Sequence, residues 1–151
     1  MTHSSKWTLK TLMLTLALAL LAMPALNVTN VQAEDDDDTE LAKHMSKISS
    51  SFKKLRRALK DPEKNKSSVA LVDVCIESSK ACIELMPEIA GDLKGTKKAE
   101  MIAGYKKMMG MLIAELGNMK KALEANKNGD AQASYSKLLK LKSKGHEAFT
   151  E

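Results

Sequence analysis

The sequence predicts an all-α protein: an up-down-up-down antiparallel four-helix bundle that follows a cleaved export signal. Three observations predict it. Beyond residue 39, apolar residues recur at alternating spacings of three and four, the pattern of helices that each bury one stripe. Aromatics make up only 3% of the chain and prolines number 3, against 44% hydrophobic residues and 10 methionines. That balance favours helix over sheet. Turn signals then divide the periodic region into four segments long enough to pack side by side.

The chain opens with Lys6 and Lys10 and no acid, runs through a mostly apolar stretch at 11–26, and reaches the small-residue site Val31-Gln32-Ala33. This is the layout of a secretory signal. The apolar run is short for a bilayer span, and Pro24 interrupts it. The expectation is a signal at 1–33 and a mature domain at 34–151, exported to a periplasm and not held in a membrane. Losing Lys6 and Lys10 lowers the formal charge from +5 to +3. This excess is spread over helix faces and lacks the interleaved aromatics of a nucleic-acid surface, so no nucleic-acid partner is expected. An acidic protein partner stays open.

Glu34-Asp35-Asp36-Asp37-Asp38-Thr39 leads into the first helix and suits its positive N-terminal end. The first helix runs to about residue 60, with Leu41, Met45, Ile48, Phe52, Leu55 and Leu59 on its seam. Asp61-Pro62 stops it. The second covers about 69–86, capped by Ser67 or Ser68, with Val72, Cys75, Ser79, Cys82 and Met86 facing inward. Pro87 ends it. The longest connection, at 88–97, contains Gly91 and Gly95, and Thr96 caps a third helix over about 97–125. Its seam is Tyr105, Met109, Leu112, Leu116, Met119 and Leu123. Residues 126–130 form a turn, with the break at Gly129 and the cap at Asp130. The fourth helix covers about 131–149. Leu138, Leu141, Gly145 and Ala148 form one apolar row; Tyr135, Leu139, Lys142, His146 and Phe149 form the next.

Cys75 and Cys82 are an even pair, which in an oxidising compartment suggests a disulfide. Seven helical residues span about 10.5 Å, beyond the ~7 Å limit for a bridge, so the two cannot pair within one helix. Their default role is as small core residues.

The predicted topology gathers the start of the first helix, the end of the second, the start of the third and the end of the fourth at one end. Met45 and His146 then face each other near the mouth of the core, with Cys82, Met86, Tyr105 and Met109 at the same end. A thioether and an imidazole are the two donors that hold haem iron in Met/His electron-transfer cytochromes. Each alone has a plainer role, as a core methionine or a histidine serving the helix dipole.

The segments ELAKHMSKIS, LRRALKDPEKN, AGYKKMMGMLIAEL, ANKNGDAQA and KLLKLKSKGHEAF together resemble the soluble cytochrome b562 family over essentially all of 34–151. The resemblance implies a periplasmic carrier of electrons that binds haem b, and thus iron, non-covalently. It makes Met45 the axial methionine and His146 the axial histidine. Lys142 falls where the family's best-known member has an arginine beside the haem, and would meet a propionate without bidentate geometry. Tyr105 and Met109 fall where aromatic residues flank the haem in that member, and Gly145 also replaces an aromatic. The partners implied are redox proteins that dock weakly, and the chain would be a monomer or a weak dimer.

Two other functions remain at the level of sequence. Cys75, Cys82, Met45, Met86 and Met109 are soft donors suited to copper(I), and a haem-free bundle with a structural or interaction role would need no ligand at all. No phosphate loop, nucleophile motif or paired-histidine metal motif supports an enzyme. His44 is expected at the surface.

Overall fold

The computed structural model describes residues 39–150; the expected signal and the acid run at 34–38 lie outside the described residues. Four helices follow in order: α1 (Glu40–Ala58), α2 (Asn65–Ile83), α3 (Gly95–Glu124) and α4 (Asn128–Phe149). Single 3-10 turns at Pro62–Lys64 and Glu88–Ala90 lie in the first two connections. Among the described residues there is no strand, and no helix is long and apolar enough to cross a membrane.

Polar contacts between helices give the antiparallel register. Asp73 of α2 meets Lys120 of α3 at 2.7 Å, and the Tyr105 hydroxyl of α3 donates to the Cys82 carbonyl of α2 at 2.9 Å. Between α1 and α4, Gln132 donates to the Leu59 carbonyl, Tyr135 to the Phe52 carbonyl and Lys142 to the Ser49 hydroxyl. As residue numbers rise on one helix they fall on its neighbour. The bundle is therefore up-down-up-down, as the periodicity predicts. Its interior is filled by Leu55, Val72, Leu116, Met119 and Leu138, all fully buried. Burial of such side chains is worth about 1.5–3 kcal/mol each.

The helix ends show where local chemistry departs from the sequence expectation. Thr39 caps α1, its hydroxyl accepting the Ala42 N–H at 3.2 Å. Asp61 accepts the Glu63 N–H at 3.1 Å, and the Pro62 turn it opens feeds directly into helix. α2 thus begins at Asn65, ahead of the expected serine caps. It ends at Ile83 rather than near Met86, because a residue before proline is driven out of helical geometry. Met86 is consequently 46% exposed and does not lie on the seam. Gly95, not Thr96, makes the entry to α3, with a left-handed φ of +56° that glycine adopts without a steric penalty.

The turn after α3 breaks at Asn126 instead of Gly129. Asn126 has φ +55°, and the Lys127 N–H closes on the Ala122 carbonyl while the Asn126 N–H closes on that of Leu123. This pairing is a Schellman motif. It lets α4 begin at Asn128, which carries Gly129 and Asp130 into the first turn. Buried Asn65 then ties the two connections together. Its amide donates to the side-chain oxygens of Asn126 and Asn128, both at 3.0 Å, and accepts from Asn128 at 3.2 Å.

Candidate functional site

At the opposite end of the bundle, α1 and α4 face each other across a cavity of about 500 Å³. This lies within the roughly 300–1,000 Å³ of small-molecule and cofactor sites. One wall comes from α1, where Met45, Ile48, Ser49 and Phe52 share a face at helical spacing. The other comes from α4, through Leu141, Lys142, Gly145, His146 and Phe149. Tyr105, Met108, Met109 and Leu112 of α3 form the floor, and Pro87, Glu88 and Ile89 close the end. All five residues singled out from the sequence line this one space.

Their environments differ. Tyr105 and Met109 are buried, at 3% and 4% exposure. Met45 is half-buried and His146 is exposed, so the cavity opens to solvent on its histidine side. Tyr105 is held by its hydrogen bond to Cys82 and by an edge-on contact with Phe149, ring centroids 5.6 Å apart at 81°. Burial raises the Tyr105 phenol well above its ordinary value, and neighbouring Cys82 adds to the effect. The phenol therefore stays neutral. Lys142 reaches across the rim to the Ser49 hydroxyl at 3.2 Å. Gly145 leaves room for Met108, whose Cγ lies 3.9 Å from where a Cβ would stand.

Four expectations are corrected. Cys82 is fully buried and touches the site only through Tyr105, so it does not line the cavity. Met86 is carried into solvent by the early end of α2. His44 is half-buried, and its Nδ1 is enclosed without a hydrogen-bond partner. On α4, Leu139 and Ala148 are exposed, because the inward stripe follows Ala131, Ser134, Leu138 and Leu141.

A model of the cytochrome b562 family matches residues 40–150, which is the whole bundle from α1 to the end of α4. The chain belongs to the cytochrome b562 family. Membership places it among b-type, haem-binding electron carriers. No curated protein and no solved structure matches it.

The residues present fit a haem. The walls are chiefly aliphatic and methionine, as a flat apolar macrocycle requires, and a thioether and an imidazole enter from opposite helices. The copper(I) donor set fits less well. Cys75 and Cys82 point into the core while Met86 faces solvent. Burial also pushes the Cys75 thiol up to about 11, with the Ser51 hydroxyl pulling the other way, and raises Cys82. Both favour the thiol over the metal-binding thiolate.

Sequence reasoning missed Ser49, Phe52, Leu141 and Phe149 as cavity residues. The signal was present on both helices: Met45, Ser49 and Phe52 follow one another at four and three, as do Lys142, His146 and Phe149.

Proposed function

We propose that this b562-family chain carries electrons in the periplasm through a haem b bound non-covalently between α1 and α4. Met45 Sδ and an imidazole nitrogen of His146 would hold its iron. The observation that carries the proposal is that these two residues line a single apolar cavity from opposite helices. When bound, the haem supplies a one-electron iron couple. With both residues as ligands, the iron would have no open position for substrate, which suits outer-sphere transfer. The thioether of Met45 favours a high potential.

The remaining residues hold and shield. Tyr105 and Met109 exclude water from the inner wall. Lys142, already at the rim beside Ser49, offers a positive charge to a propionate. Phe149 braces Tyr105, and the solvent-open side of the cavity at His146 would let weakly docking redox proteins approach the cofactor.

A potentiometric titration of the haem-loaded chain, followed by visible absorption, tests this reading. The expected result is a reversible one-electron couple that Met45→His shifts to lower potential while keeping a low-spin spectrum. A potential unchanged by that substitution would contradict the assignment of Met45.

A further inference from the structure

The charge excess is greatest on α1. α1 carries Lys43, Lys47, Lys53, Lys54, Arg56 and Arg57 against a single acid, Glu40, which is held by Lys43 at 3.6 Å. On its outer side a second groove, of about 540 Å³, is lined by Ser46, Ser49, Ser50, Lys53, Lys54, Arg57, Ala58 and Lys64. Lys53, Lys54 and Arg57 are exposed and, among the described residues, join no ion pair. Ser46 and Ser49 line both this groove and the cavity. The two sites are therefore adjacent.

We propose that this basic groove of α1 is the docking site for an acidic redox protein. The inference rests on the electron-carrier reading above, and adds the chemistry and position of the partner. Charge complementarity selects an acidic surface, and the shared residues Ser46 and Ser49 bring that surface beside the cavity. A field of one sign steers a charged partner and raises its association rate by 10–10³-fold, falling steeply with salt. The groove offers hydroxyls and cations without an exposed apolar side chain to insert, which disfavours a lipid surface. It has no aromatic platform for nucleic-acid bases.

The test uses the haem-loaded chain, reduced beforehand with dithionite and freed of excess reductant, with a net-acidic blue-copper protein as electron acceptor and a net-basic c-type cytochrome as control. The comparison variant is Lys53→Glu/Lys54→Glu/Arg57→Glu, whose sites are all exposed. The wild-type chain is expected to reduce the acidic acceptor quickly at low salt and steeply more slowly as salt rises. The triple variant should be at least ten-fold slower at low salt and lose that salt dependence, with its visible spectrum unchanged. Backbone amide shifts on adding the acidic protein should cluster at 46–57, and they are read with or without haem. An unchanged rate and salt slope in the triple variant, or shifts confined to α2 and α3, would overturn the docking site. So would binding to phosphatidylglycerol vesicles or duplex DNA in preference to the acidic protein. Failure to take up haem, with the shifts still at 46–57, would instead overturn the electron-carrier reading and leave the docking surface standing.

Discussion

At the end of the bundle where α1 passes to α2 and α3 to α4, buried Asn65 holds Asn126 and Asn128, and Leu59, Leu123 and Ala131 close the core. At the other end, α1 and α4 face each other across a cavity of about 500 Å³ whose histidine is exposed. One end is closed by packing and by the Asn65 hydrogen bonds; the other leaves apolar walls with a half-buried Met45 and an exposed His146. The difference teaches where mutations should separate stability from binding. Substitutions at the closed end should unfold the chain, whereas those at the open end should alter the cofactor and little else.

The largest expected effect is at the closed end. Leu123→Ala should cost about 3 kcal/mol in urea unfolding of the haem-free chain, within the range for buried leucines, and should leave the haem-bound spectrum unchanged. Midway along α2, Cys75 predicts a pH dependence of similar size. Its thiol ionises near 9.0 when unfolded and at about 11 when folded. The folded state therefore keeps its proton longer. That stability is complete below pH 9 and lost as pH rises towards 11, by on the order of 2–3 kcal/mol. Denaturant midpoints of wild type and Cys75→Ala across this window should converge as pH rises.

Asn65→Ala is next, at about 2 kcal/mol, because it removes three side-chain hydrogen bonds made by a buried amide. The smallest effect is at the open end. His146→Ala should change the stability of the haem-free chain by less than about 0.5 kcal/mol, as for exposed positions generally. A loss there as large as that of Leu123→Ala would erase the distinction between the two ends.

The open end was the more legible of the two in the sequence. Helical spacing gave the stripes, topology then placed Met45 and His146 together, and Tyr105 and Met109 followed from the seam of α3. The closed end was less legible, because asparagines in a turn look alike before the chain has folded. Nothing in ANKNGD says that Asn126, rather than Gly129, takes the left-handed backbone. The contact to Asn65 is made across more than sixty residues. Met86 was misplaced for a local reason: the three-four rhythm continues through it, but Pro87 prevents the backbone from following. The basic face of α1 was legible, because Ser46, Ser50, Lys53, Lys54 and Arg57 follow helical spacing; the fold adds the groove beside it and Lys64 at its end.

The most direct test of the central claim is a haem titration of the chain followed by visible absorption, with wild type compared to Met45→Ala and His146→Ala. A sharp low-spin spectrum in the reduced wild type that each substitution alters, while circular dichroism stays helical, is the predicted result. Wild type that takes up no haem, or binds it with the same spectrum after both ligands are removed, would contradict the site.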